Sequence, residues 1–190
     1  NKLKDIRLSE NVSYIDRYAF SNTAIESIII PKSVENCGEY GMNGPFCNCT
    51  TLTEIIFEEG TTNIPANICT CYNSTSYLKK VVLPESVTSI GSGAFQWCDN
   101  LEIDKLPSNL ISIGSGAFRG DLKIVSIDIP ETVTTIGRLA FASCTSLEKV
   151  TMNDNNGNGF KVSIGESAFE GSNKLKDIRL SENVSYIDRY

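Results

Sequence analysis

The feature that most constrains this chain is an internal repeat. The stretch from Leu78 to Cys98 reads LKKVVLPESVTSIGSGAFQWC; from Leu101 the chain continues LEIDKLPSNLISIGSGAF, and from Ile124 IVSIDIPETVTTIGRLAFASC, ending at Cys144. The shared skeleton is L-x-x-V-x-L-P-x-x-V-x-x-I-G-x-x-A-F-x-x-C. Aligning the remainder to it gives unit starts at Leu3, Ile25, Leu52, Leu78, Leu101, Ile124, Leu147 and Leu175, spaced by 22, 27, 26, 23, 23, 23 and 28 residues. A unit of this length cannot bury its own apolar faces, so units of this period stack and share one core.

Each unit opens with alternating apolar and polar residues, the two-residue period of an extended strand. Pro31, Pro84, Pro107 and Pro130 close the strand, because proline has no amide hydrogen to continue a ladder. Val87 with Ile90, Leu110 with Ile113, and Val133 with Ile136 supply a second inward-facing side. Gly91, Gly114 and Gly137 then read as turn residues that adopt conformations closed to other residues. The Ala-Phe pairs at Ala19-Phe20, Ala94-Phe95, Ala117-Phe118, Ala140-Phe141 and Ala168-Phe169 are expected on a 3-10 or short helical turn with the ring in the core. The predicted architecture is a repeat solenoid of about seven to eight units, each with one short parallel strand.

The I-G-x-x-A-F-x-x-C half of the unit resembles the BspA-like branch of the leucine-rich repeats, and the resemblance covers essentially the whole chain. It implies a concave strand face used for binding. It also implies a secreted or surface-exposed protein associated with adhesion to host matrix or to other cells. Two units depart from the pattern. In the unit from Ile25 the Ile-Gly step becomes Cys37-Gly38, with extra residues before Phe46; in the unit from Leu52, Glu58 replaces the proline and Ile68 takes the Phe position. The insertion at residues 154–159 reads as an exposed loop.

Residues 1–18, NKLKDIRLSENVSYIDRY, recur unchanged as residues 173–190, a second period of 172 residues. A recent tandem duplication in a long array, an excerpt of an array whose true repeat is 172 residues, and an engineered sequence all account for it. Residues 1–190 are accordingly expected to form a single uncapped solenoid excerpt of a longer array.

Composition removes several function classes. A net charge of -6 and the lack of a basic run argue against nucleic acid, which is bound by clustered Lys and Arg. No apolar run approaches the roughly 20 residues that span a bilayer, so membrane insertion of this segment is not expected. Histidine is missing, and with it the commonest general base and metal ligand. No carboxylate spacing suggests acid-base work. We expect no enzyme, no catalytic residue, no metal and no cofactor.

The outward strand positions read Asp5 and Arg7, Ser27 and Ile29, Glu54 and Ile56, Lys80 and Val82, Ile103 and Lys105, Ser126 and Asp128, Lys149 and Thr151. Ile29, Ile56 and Val82 form an apolar stripe bordered by Glu54 and Lys80, a binding face if a partner exists. β-Branched residues favour strands without one too. Among seven cysteines, Cys49, Cys71, Cys98 and Cys144 align at the last skeleton position, where a small buried thiol suffices. Cys47 and Cys69 add C-x-C pairs in adjacent units. Stacked equivalents about 5 Å apart permit disulfides Cys47-Cys69 or Cys49-Cys71, with free thiols and zinc as alternatives. Sequons stand at Asn11, Asn48, Asn73 and Asn183. The expected function is a non-enzymatic structural or adhesive surface repeat protein, fibre-forming where the array is long, binding protein partners through the concave strand face; the alternative is a receptor-like ligand-recognition module of a larger polypeptide.

Overall fold

The computed structural model describes residues 6–38, 43–72, 76–103, 105–152 and 161–189. Its chain winds as a parallel β-solenoid in which the units contribute short strands in pairs. The first unit contributes β1 (Tyr14–Ile15); the next three contribute β2 (Ser27–Ile30) and β3 (Asn36–Cys37), β4 (Glu54–Phe57) and β5 (Asn63–Ile64), β6 (Lys80–Val82) and β7 (Ser89–Ile90). The unit from Leu101 contributes β8 (Ser112–Ile113). Then follow β9 (Ser126–Ile129) and β10 (Thr135–Ile136), β11 (Lys149–Met152) and β12 (Val162–Ile164), β13 (Asp177–Arg179) and β14 (Val184–Ile187). The second strand of each pair is an addition to the single strand per unit read from sequence. It forms because Ile90, Ile113 and Ile136 face inward in register while their polar neighbours face out.

The leading strands form two sheets, β2-β4-β6 and β9-β11-β13, and the trailing strands form β1-β3 and the six-stranded β5-β7-β8-β10-β12-β14. Among the described residues of 101–107 no strand forms, so the leading ladder is interrupted there. The sequence carries Asp104 at the fourth, inward slot, where the neighbouring units have Val81 and Ile127. A carboxylate there would be desolvated at high cost, and Ile103, expected to face outward, is instead buried at 7% exposure. Residues 1–5, including Asp5, and the 154–159 insertion lie outside the described residues.

A third wall joins the units through the Gly-x-x-Ala-Phe segment. Phe95 N–H donates to Ala117 O, Phe118 N–H to Ala140 O and Phe141 N–H to Ala168 O, at 2.8–2.9 Å, while Ala94, Gln96 and Cys98 donate back three residues to Gly91, Gly93 and Phe95. Alternate amides therefore serve the neighbouring unit and the local turn. A helix would need all of them within the segment, so the expected helical turn is a run of tight turns. Left-handed φ values of 61° and 62° at Gly93 and Gly116, and 57° and 55° at Leu139 and Ser167, mark the same step in each unit.

Gly91, Gly114 and Gly137 correct the sequence reading, since none is among the positive-φ residues. Their reason is close approach: a Cβ on Gly114 would lie 2.5 Å from Ser92 N, and one on Gly137 2.5 Å from Ser115 N. The core is continuous from Ile15 to Ala168. Phe95, Phe118 and Phe141 are wholly buried, and the rings stack from unit to unit at 5.5, 5.2 and 5.7 Å through to Phe169. Burying each such ring contributes about 1.5–3 kcal/mol. Phe20 and Phe46 stack separately at 5.3 Å.

Candidate functional site

Strand register sets the outward face. Ile29 pairs with Ile56 and Ile56 with Val82, while Ser27, Glu54 and Lys80 form the adjoining row. Pleating turns Ile28, Ile30, Ile55 and Phe57 into the core and their neighbours out. Ile29 is 58% exposed; Ile56 and Val82 are half-buried. Lys80 Nζ lies 2.8 Å from Glu54 Oε1 along the edge of the stripe, an exposed ion pair that contributes little to stability. Lys105 is exposed and 3.4 Å from Glu85 Oε1, but Ile103 does not belong to this face.

Where the leading ladder is interrupted, a cleft of about 450 Å³ opens between the units from Leu78 and Leu101, lined by Lys80, Val82, Leu83, Glu85, Lys105 and Leu106 among others. Glu85 bridges the break: its Oε2 accepts from the Ser108 amide and hydroxyl, both at 2.7 Å. These bonds, with Lys105 beside them, hold its carboxyl down at about 2.

The cysteines divide into two kinds. Cys49 Sγ–H donates to Phe20 O at 2.9 Å and Cys144 Sγ–H to Phe118 O at 3.1 Å, and the Ser172 hydroxyl makes the same bond to Phe141 O at 2.9 Å. The last skeleton position therefore holds a small hydrogen-bond donor aimed at the preceding unit's Phe carbonyl. Cys98 does so towards Cys69 O at 3.6 Å. That identifies Cys69, whose amide donates to Ala94 O as Phe95 donates to Ala117 O, as the occupant of the Phe position. Ile68 stands one residue earlier, and Cys71 lies one place short of the donor position. The shift brings Cys47 Sγ and Cys71 Sγ to 2.6 Å, a pair that the alignment by spacing did not bring together. Among the described residues no group of three or more His, Cys, Asp or Glu is arranged to hold a metal ion.

In the unit from Leu101 the donor position is Asp121, which the sequence reading passed over. It is fully buried; Oδ1 accepts from Cys98 N–H at 2.9 Å and Oδ2 has no partner. Burial raises its carboxyl well above the usual range, the Cys98 bond opposes this, and Asp99 adds to it. The only sequence signal was a mismatch at one skeleton position. Trp97, at φ 63°, packs edge-on to Tyr72 at 6.4 Å with the Arg119 guanidinium 5.5 Å from its ring centre. Of the sequon residues, Asn11 and Asn48 are exposed and Asn183 is half-buried; Asn73 lies outside the described residues.

Stacked parallel strands, a buried Phe column and turn-borne hydrogen bonds between units define a leucine-rich-repeat solenoid. The profile of the BspA type leucine rich repeat region matches residues 1–71 and 68–190, with six copies, and the chain belongs to that family. Its repeats are generally protein-interaction scaffolds. Among solved structures, a leucine-rich-repeat protein of T. pallidum is 27% identical with a TM-score of 0.67, over 87% of this chain and 72% of that one. A leucine-rich repeat protein from Eubacterium ventriosum (21%, TM-score 0.52) and the pneumococcal vaccine antigen PcpA (21%, TM-score 0.58) share the fold. The alignments cover 95% and 90% of this chain but 55% and 42% of those chains. A search of curated proteins finds no match.

Proposed function

We propose that this chain is a non-enzymatic structural or adhesive segment of a secreted or cell-surface protein, engaging protein partners through the outward face of its leading strands. The observation that carries this reading is the in-register row Ile29, Ile56 and Val82, with Ile29 largely exposed. Apolar side chains held in a row on a rigid sheet need no ordering on binding. The identical segments 1–18 and 173–190 support a longer array, which at strand spacing rises about 5 Å per unit and makes a rod. The family resemblance supports the surface location. The test is replacement of Ile29 or Ile56 by Asp, with binding to immobilised matrix proteins and sedimentation for self-association. We expect at least tenfold weaker association with an unchanged melting temperature for Ile29→Asp; unchanged association would overturn the reading.

The cleft at the ladder break favours a second reading, a receptor-like ligand-recognition module of a larger polypeptide. A charge-reversing Lys105→Glu change that abolished binding while Ile29→Asp left it intact would select this reading over the first.

A further inference from the structure

We propose that Cys47 and Cys71 form a disulfide that staples the unit from Ile25 to the unit from Leu52. The Sγ atoms lie 2.6 Å apart, far inside van der Waals contact between two sulfurs and close to the roughly 2.05 Å of a bond. Both residues are buried, at 3% and 4% exposure, so the side chains are held facing each other by the surrounding fold. The backbones also meet here, through an antiparallel bridge between Asn43 and Cys71 and a 2.7 Å bond from Gly44 N–H to Thr70 O.

The position has a structural reason. Three kinds of contact join neighbouring units: the leading ladder, the trailing ladder and the stacked Phe rings. Between these two units the Phe column is interrupted, because Cys69 occupies the Phe position between Phe46 and Phe95. The trailing ladder is interrupted as well, since β3 pairs with β1 in one sheet while β5 begins another. A covalent bond placed at this junction replaces part of what the two interruptions remove.

Closure proceeds by thiol-disulfide exchange with an external disulfide, RSSR, of the kind maintained in oxidising compartments. One cysteine thiolate attacks RSSR, giving a mixed disulfide and releasing RS⁻. The second thiolate displaces the other RS⁻, leaving Cys47–S–S–Cys71. The two thiol protons end on two RSH, and two electrons pass from the cysteines to the oxidant. Exchange occurs during folding, before the pair is buried. Cys49, Cys98 and Cys144 remain thiols, their S–H groups committed to backbone carbonyls.

This inference stands apart from the adhesive reading, and its test is a thiol count. The full chain, folded with a glutathione disulfide buffer and denatured without reductant, should show five reactive thiols of the seven. Cys47→Ser or Cys71→Ser should raise the count to six by releasing the partner, whereas Cys49→Ser or Cys69→Ser should lower it to four with the bridge intact. Reduction should lower the melting temperature of the wild type and not that of Cys71→Ser. Seven thiols in the wild type, or a count that rises in Cys49→Ser or Cys69→Ser, would overturn the assignment.

Discussion

Ile15 and Ile187 are the same position of one 18-residue segment that occurs twice, yet Ile15 is 4% exposed and Ile187 is 59% exposed. The segment is unchanged; the neighbours differ. Ile15 pairs with Cys37 of the following unit, whereas Ile187 pairs with Ile164 of the preceding one. The pair measures what stacking contributes, free of any difference in local sequence.

It follows that Ile15→Ala should destabilise its unit by about 2–5 kcal/mol, as deletion from a packed core does. Ile187→Ala should fall within about 0.5 kcal/mol of the parent. Because repeat arrays unfold unit by unit, amide hydrogen exchange resolved to residues 6–38 and 161–189 is the suitable measurement. Equal effects of the two changes would mean that the flanking unit does not cover Ile15.

Phe118 sits between two rings, 5.5 Å from Phe95 and 5.2 Å from Phe141. Phe118→Ala should cost about 3–5 kcal/mol and loosen the units on both sides, since each loses a stacking partner. Phe118→Leu should cost clearly less. Denaturant titration followed at the far-ultraviolet β signal distinguishes the two.

Glycines two residues apart should respond differently to the same added methyl. Gly116 has φ 62° with its nearest neighbours at 3.9 Å, and the equivalent positions already carry Leu139 and Ser167. Gly116→Ala should therefore cost about 1 kcal/mol, the left-handed penalty alone. Gly114→Ala drives a methyl to 2.5 Å from the Ser92 amide nitrogen. It forces two units apart and should cost about 3 kcal/mol or more, read as the difference in denaturation midpoint at constant slope.

Asp121 makes stability depend on pH in an unusual sense. Its folded carboxyl is raised, principally by burial, while in the unfolded chain it ionises near pH 4 (about 3.9). Above that value the unfolded state holds fewer protons, so stability declines as pH rises through the window between the two. Asp99, also raised by burial, acts in the same direction. Glu85, held down at about 2, contributes stability above the usual glutamate range and loses it only as pH falls towards about 2. Melting temperatures should thus fall from pH 4.5 to 7, and Asp121→Ser, which copies Ser172, should raise the value at pH 7 and flatten the slope. A steeper slope in that variant would show that Asp121 is ionised in the fold.

The period, the inward positions and the Phe rings were readable from the chain because burial at Val87, Ile90 and Phe95 recurs with fixed spacing and leaves a statistical trace. The donor role of Cys49, Cys98 and Cys144 was not, because cysteine serves equally as a small apolar residue and only a carbonyl from the preceding unit reveals the hydrogen bond. The same holds for Gly114: the sequence marks a glycine, and the approach of Ser92 supplies its reason.

What the sequence alone determined is therefore the solenoid, its unit and its core, all consequences of a hydrophobic pattern too short to be buried by itself. The tertiary structure decided register: which residue fills the Phe position between Phe46 and Phe95, that Ile103 turns inward, and that Cys47 meets Cys71. Register is a property of pairs of units. A one-residue shift leaves the hydrophobic pattern of each unit nearly unchanged and changes every contact across the boundary.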